Sequence, residues 1–171
     1  MAKEKKSSRF LGLRLFLVGV FFGVIIKLFI FDFLTVSGTS MEPTIADKSM
    51  VLVYKLAYGL VKPFGEDLIV QWNSPKVDDI VLYFYNDRAV IKRCVALEGS
   101  PLEFSSSSGY SLYVSGKRIP LTESQYQRMK HSSYVPQNMV LVVGDNYAES
   151  VDSRNYGFVP EKNILGKVLF R

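Results

Sequence analysis

The sequence predicts a mainly β protein: one N-terminal transmembrane helix followed by an all-β domain. Two observations carry that reading. A single long apolar run lies near the N-terminus, from Leu11 to Phe31. Beyond it, short stretches rich in β-branched and aromatic residues alternate with Gly, Pro, Asn, Asp and Ser, and no long helical period recurs. With 171 residues, 48% of them hydrophobic, and a mean hydropathy of +0.12, the chain has room for one globular domain and leans apolar for a soluble one.

The apolar run is about 21 residues long, close to the roughly 20 that a spanning helix needs. Arg14 and Lys27 sit towards its ends, where long cationic side chains can reach the headgroups. A cleavable signal peptide is the competing reading, because Leu15 to Ile26 is uncharged and of suitable length. Its cleavage site is missing: Ile30, Phe31, Asp32, Phe33 and Leu34 are bulky or charged where small residues are needed. A buried helix of a soluble core is the third reading. The uncleaved anchor fits best. Residues 1–10 then form a basic tail, 11–34 the anchor and 35–171 the folded domain. Lys3, Lys5, Lys6, Arg9 and Arg14 keep the tail cytoplasmic by the positive-inside rule, which puts the domain outside the cell membrane.

Those five cations also account for much of the net charge of +5. The rest of the chain is nearly balanced, which argues against a nucleic-acid partner. A weak attraction to anionic lipid is the better use of the charge. The one cysteine, Cys94, allows no intrachain disulfide.

Strands are expected at Val51–Tyr54, Ile80–Tyr85, Ala89–Ala96, Leu112–Val114, Met139–Val143 and Lys167–Phe170. Ser115 and Gly116 read as the turn of a hairpin running from Leu112 to Ile119. Gly59 to Trp72 reads either as an irregular strand pair packed on the core or as an apolar surface that dips into the bilayer with Trp72 at its interface.

Chemistry is constrained by what is scarce. One His and one Cys make a zinc site improbable, and no calcium-binding loop is present, so no metal and no cofactor is expected. His131, the sole histidine, lies in a polar stretch and reads as a solvated surface residue, which disfavours a Ser-His-Asp hydrolase. Serine with lysine remains. A lysine acts as base only when neutral, and moving its pKa from about 10.4 to near 7 disfavours the charge by roughly 4 kcal/mol. Burial among apolar groups supplies shifts of that size. Lys92 lies inside an apolar strand, and alternation puts it on one face with Val90 and Cys94 while Arg93 points away. On its own, a lysine in a strand is more often an edge or surface residue.

Ser37 to Thr44 follows the anchor directly. Gly38 permits an unusual backbone there and Pro43 fixes a turn, so Ser40 could present a hydroxyl and an N–H together. An ordinary linker is the alternative. Gly144 to Gly157 packs polar and turn residues after a hydrophobic strand, either as a plain surface loop or as a support in which Asp152 and Arg154 form an ion pair.

Taken together, these segments resemble the type I signal peptidase family. Ser40-Met41 with Pro43-Thr44 is similar to its S-M-x-P-T box, Lys92-Arg93 to its K-R, and Asp79-Ile80-Val81 to its G-D-I-V box with Asp78 where Gly is usual. The run from Gly144 to Gly157 fits its G-D-N-x-x-x-S-x-D-S-R-x-x-G pattern at every specified position. The resemblance implies an all-β catalytic core with a small β insertion at roughly 98–138. It implies Ser40 as nucleophile and Lys92 as general base, with Ser150 hydrogen-bonding the lysine. Asp152 and Arg154 would brace the loop that Gly144, Asp145 and Asn146 shape, and Met41, Ile45 and Ile91 would line shallow pockets for small residues at substrate positions −1 and −3. Preproteins bearing signal peptides would be the substrates, in a plasma membrane, with no partner subunit required.

The chain also departs from the pattern. Gly38 stands where some members carry a serine that helps the oxyanion hole, leaving more of that task to the Ser40 N–H. Leu97, Glu98, Gly99 and Ser100 replace the usual L-P-G-D. The alternatives are another Ser/Lys protease such as a self-cleaving repressor, an organellar processing peptidase, or an inactive relative that only binds signal peptides. The anchor and the joint presence of Ser40, Lys92 and Ser150 favour an active signal peptidase over the first and last of these.

Overall fold

The computed structural model describes residues 2–62 and 65–170. Helix α1 (Ala2–Ile25) continues through a π-helical turn, Ile26–Ile30. Its stretch Leu11–Ile30 has mean hydropathy 2.4, is long and apolar enough to cross a membrane, and buries none of its residues in the protein. A helix apolar on all sides and left uncovered along most of its length has the character of a bilayer span.

The helix stops earlier than the apolar run suggested. Phe31–Thr35 forms strand β1, so residues 31–34, expected in the anchor, belong to the sheet. They pair antiparallel with β2 (Met50–Tyr54), from Phe31 opposite Tyr54 to Thr35 opposite Met50. Asp32 forms an ion pair with Lys55 at 3.0 Å, and Lys55 Nζ also donates to the Lys27 and Leu28 carbonyls. Those carbonyls lie at the helix end, where intrahelical donors run out, so one cation fastens the helix to the domain.

The other strands are β3 (Gly59–Val61), β4 (Leu68–Gln71), β5 (Ile80–Tyr85), β6 (Arg88–Ala96), β7 (Glu103–Ser105), β8 (Ser111–Val114), β9 (Lys117–Pro120), β10 (Met139–Val143), β11 (Val159–Pro160) and β12 (Ile164–Phe170). Seven form one antiparallel sheet in the order β1-β2-β12-β5-β6-β10-β11. Both of its faces are buried. Along β5, Ile80 and Leu82 join Met41, Ile45 and Val53, while Val81 and Tyr83 join Tyr58, Cys94 and Val142. That explains why β5 and β10 read as continuous apolar runs rather than alternating ones.

β7, β8 and β9 make a separate three-stranded sheet within 98–138. It closes through Ser115 and Gly116, both at positive φ, the geometry of a tight two-residue hairpin. Leu112, Val114 and Ile119 from this sheet pack with Val95, Leu141 and Val143 of the main one. Two short helices complete the fold. Helix α2 (Glu123–Met129) opens on a capping box between Thr122 and Gln125, and α3 (Ser153–Tyr156) opens on another between Asp152 and Asn155. Asp78, where the family pattern has Gly, adopts φ +75, which Asp tolerates better than most residues. Its carboxylate pairs with Lys117 of β9, linking the two sheets.

In the Gly59–Trp72 region, β3 and β4 pair antiparallel. Leu68 is buried against the Tyr58 cluster, whereas Ile69, Val70 and Trp72 are exposed. The pair thus touches the core through Leu68 and leaves Ile69, Val70 and Trp72 outside it.

Asp79, buried at the start of β5, accepts hydrogen bonds from Tyr58 Oη (2.8 Å), the Lys76 N–H (3.1 Å) and Lys167 Nζ of β12 (2.5 Å). Burial alone would raise its pKa, but these donors prevail and lower it. A folded-state pKa below the unfolded value stabilises the fold above about pH 4 and is lost as pH falls through the folded value. Asp79→Asn is expected to cost about 1–3 kcal/mol at pH 7, with the difference from wild type shrinking below pH 4. Thermal unfolding in detergent at both pH values checks this.

Candidate active site

The serine segment is held as a tight loop between β1 and β2. Val36 N–H donates to the Ser49 carbonyl across its base, and Lys48 N–H donates to the Val36 carbonyl. Gly38 adopts φ +107, a region most side chains avoid, and its N–H donates to Asp47 Oδ1 at 2.7 Å. Met41 and Ile45, each 1% exposed, anchor the far side of the loop in the core. Ser40 therefore sits between a glycine at positive φ and a buried methionine, and its N–H has no acceptor among the described hydrogen bonds.

The loop that follows β10 reaches back to meet it. Asn146 N–H donates to the Ser40 carbonyl at 3.1 Å and Asn146 Nδ2 to the Thr39 carbonyl at 3.2 Å. Gly144 makes the approach possible. A Cβ there would lie 2.4 Å from the Ser40 carbonyl oxygen and 2.2 Å from Ser150 Oγ. No side chain fits at that distance.

Lys92 enters from β6. It is 4% exposed, and its Nζ donates to Ser40 Oγ at 2.6 Å. Cys94 on the same face is fully buried and Val90 half-buried, the dry neighbourhood expected from strand alternation. Burial lowers the Lys92 pKa. Asp152 opposes that effect, Arg154 reinforces it, and Asp145 opposes it more weakly. The net direction is down, towards the neutral amine.

Both acids are already engaged. Asp152 and Arg154, 0% and 1% exposed, pair through two hydrogen bonds of 2.9 Å. Asp152 also accepts from the Gly144 N–H, and Arg154 donates to the Pro120, Tyr147 and Ser150 carbonyls. A buried pair with its remaining donors and acceptors satisfied holds a loop in one shape. Arg93, on the opposite face of β6 from Lys92, grips Asp145 through bonds of 2.8 and 2.6 Å. Burial would raise the Asp145 pKa, but the Arg93 bonds outweigh it and keep the carboxylate ionised.

Ser150 lies against this cluster, 5% exposed, with Oγ unpaired among the described residues. The hydrogen bond to Lys92 expected of it is not formed here, where the amine bonds Ser40 instead. His131 is exposed in the turn after α2. Among the described residues, no group of three or more His, Cys, Asp and Glu side chains is placed to hold a metal ion.

A cleft of about 300 Å³ opens beside Ser40 and Lys92. Met41 and Ile91 line it as expected, whereas Ile45 packs behind Met41 in the core and does not. Leu34 to Ser37 form the facing wall, with Leu82 below. Leu34, expected at the end of the anchor, stands instead in β1 and so in this wall. Two unpaired strand edges bound the cleft. Among the described residues, β1 pairs only with β2, and Arg88 to Lys92 of β6 pair only with β5, since β10 joins β6 from Arg93 onward.

A family model described as signal peptidase, peptidase S26, matches residues 9–171, nearly the whole chain. The chain belongs to this family. It is a serine endopeptidase of the type I signal peptidase class. It is similar to a signal peptidase I of Bacillus caldolyticus, 29% identical over 99% of this chain and 92% of the relative. It is also similar to a signal peptidase I of Buchnera aphidicola, 26% identical over 85% and 71%. A thylakoidal processing peptidase 1 of Arabidopsis thaliana is 31% identical over 80% of this chain and 40% of the relative. Among solved structures, a signal peptidase I from Enterococcus faecalis is 28% identical with TM-score 0.41, covering 57% of this chain and 97% of that one.

The peptidase's two loops touch through the Gly144–Ser40 approach, which has no slack. Gly144→Ala is expected to push the serine away from Lys92 and lower kcat by about 100-fold, the cost of a displacement on the order of 1 Å. Cleavage kinetics, with circular dichroism as the check that the fold persists, test this.

Proposed function

We propose that this peptidase removes signal peptides from exported preproteins, with Ser40 as nucleophile and neutral Lys92 as general base. The 2.6 Å contact between a buried Lys92 amine and Ser40 Oγ carries the reading. A serine hydroxyl needs a base within hydrogen-bond reach, and a lysine serves once burial has lowered its pKa.

The substrate's last signal residues enter the cleft extended, between the free edges of β1 and β6, and hydrogen-bond to both as an added strand. Small side chains at −1 and −3 fit against Met41 and Ile91. Lys92 accepts the Ser40 proton as Ser40 Oγ attacks the −1 carbonyl carbon. The Ser40 N–H, which has no other described acceptor, stabilises the oxyanion. Lys92 then gives the proton to the leaving amine, and a water activated by the same amine hydrolyses the acyl-enzyme. Asp152, Arg154, Gly144, Asp145 and Asn146 hold the two loops together, and Ser150 orients the amine when Lys92 turns from Ser40 during turnover. Leu11–Ile30 anchors the enzyme in the plasma membrane as a single span, with the basic tail cytoplasmic and the β domain outside. Tethering raises the local concentration of membrane-held substrates. No partner subunit and no cofactor takes part.

Cleavage of a preprotein with small residues at −3 and −1, followed by gel shift and N-terminal sequencing, tests the assignment. Wild type and His131→Ala are expected to cut at the signal junction, and Ser40→Ala and Lys92→Ala to fall by at least about 1000-fold. Because the base must be neutral, kcat/KM is expected to drop on the acid side, at an apparent pKa below that of a free lysine. Cutting by Ser40→Ala or Lys92→Ala would refute the proposed chemistry.

A further inference from the structure

The residues of β6 that line the catalytic cleft, Arg88 to Lys92, divide between two faces. Pairing with β5 sets Ala89 and Ile91 opposite Phe84 and Leu82 on one face, and Arg88, Val90 and Lys92 opposite Tyr85, Tyr83 and Val81 on the other. The first face is apolar. The second ends in a charge: Arg88 is exposed beside Tyr85, whose ring stacks on that of Tyr156 with 3.9 Å between centroids. Asn86 and Asp87, both at positive φ, form the tight turn that opens β6, so the backbone at Arg88 is fixed. Its guanidinium has no carboxylate partner among the described ion pairs.

Strand geometry says which part of a substrate meets Arg88. In the reading above, the −1 and −3 side chains lie on the Ile91 face, so those of −2 and −4 fall on the Arg88 face. From Arg93 onward the edge of β6 is taken by β10, so the −1 residue, which Ser40 and Lys92 must reach, aligns with Ile91. Leu34 and Ala89 also line a second cavity, which Leu28 and Phe29 of the helix end close. The Arg88 end of the cleft therefore faces the membrane, from which the signal comes. An extended peptide rises roughly 3.3 Å per residue, which aligns −3 with Ala89 and −4 with Arg88, about 10 Å from −1.

Charge at this end of the cleft is of one sign. Lys55 and Lys62 line the adjoining cavity. Asp32, the one acid among the described lining residues of the two cavities, is paired with Lys55 at 3.0 Å. We propose that Arg88 is a specificity-determining residue for substrate position −4, favouring a carboxylate side chain there and disfavouring a cation. The inference rests on the signal-peptide reading above.

The test uses the full-length enzyme in a non-ionic detergent and three preproteins alike except at −4, which is Glu, Gln or Lys. At low salt wild type is expected to favour Glu over Gln by about threefold in kcat/KM, and Gln over Lys by a similar factor, the size of an exposed ion pair. Both ratios are expected to fall towards one at about 0.5 M salt. Ratios taken within one enzyme do not depend on the fraction folded. Arg88→Gln is expected to bring them close to one, Arg88→Glu to invert them and Arg88→Lys to keep their order. The same residues placed at −5, on the Ala89 face, are expected to give ratios that Arg88→Gln changes less. Equal cleavage of the three substrates by wild type overturns the proposal, as do ratios that Arg88→Gln leaves unmoved or moves as much at −5 as at −4. If wild type cuts none of the three while a relative cuts all, the peptidase reading fails and takes the proposal with it.

Discussion

Everything at this site depends on a buried lysine left without a counter-ion of its own. Two carboxylates lie near enough to Lys92 to raise its pKa. Each is claimed by an arginine: Asp152 by Arg154, and Asp145 by Arg93. Had either acid faced the lysine alone, the ammonium would be stabilised and the amine would be no base at neutral pH. With both neutralised, desolvation decides, and the amine's recorded partner is the hydroxyl of Ser40. The ion pairs thus act in two ways. They brace the loop after β10, and they keep negative charge away from the Lys92 amine.

The same loop sets Ser40. Ser40 is placed by contacts to its backbone: Asn146 holds the carbonyl, Gly144 admits the close approach, and Asp47 fixes Gly38 two residues earlier. Fixing the backbone leaves Oγ free to meet the amine and leaves the N–H unclaimed. Rigid surroundings matter because bonds to a developing charge contribute most when they need no rearrangement. β6 supplies the remaining precision, since one strand carries Lys92, part of the cleft wall and an edge with no described partner beside them.

The strands that sequence reading locates are those with compact β-branched cores and clear turn residues, such as Ile80–Tyr85 and the hairpin at Ser115 and Gly116. β1 was hidden because Phe31, Phe33 and Leu34 extend the apolar run of the anchor without a break, although Asp32 marks the change. α2 was hidden because seven residues bury only Gln125 and Met129, too short a pattern for a helical period to emerge. Lys92 was legible as a lysine among apolar neighbours, and Ser40 and the loop from Gly144 by their motif. Pairings across long separations were not legible. Nothing local in the sequence joins Arg93 to Asp145, or says that Ile45 packs behind Met41 rather than beside it in the cleft. Those facts belong to sheet order and loop approach, which only the folded chain defines.

The central claim is that an amine at position 92, made basic enough by its surroundings, removes the proton from Ser40. Lys92→Cys followed by aminoethylation tests it most directly, because the product carries an amine of nearly the same reach but weaker basicity. Cys94 is fully buried and its thiol is pushed up to about 12 by that burial, which favours modification at the new site alone. The account predicts that Lys92→Cys is inactive, that aminoethylation restores cleavage, and that the acid limb of kcat/KM moves to lower pH than in wild type. Cleavage by unmodified Lys92→Cys, or a restored enzyme whose acid limb does not move, would contradict it.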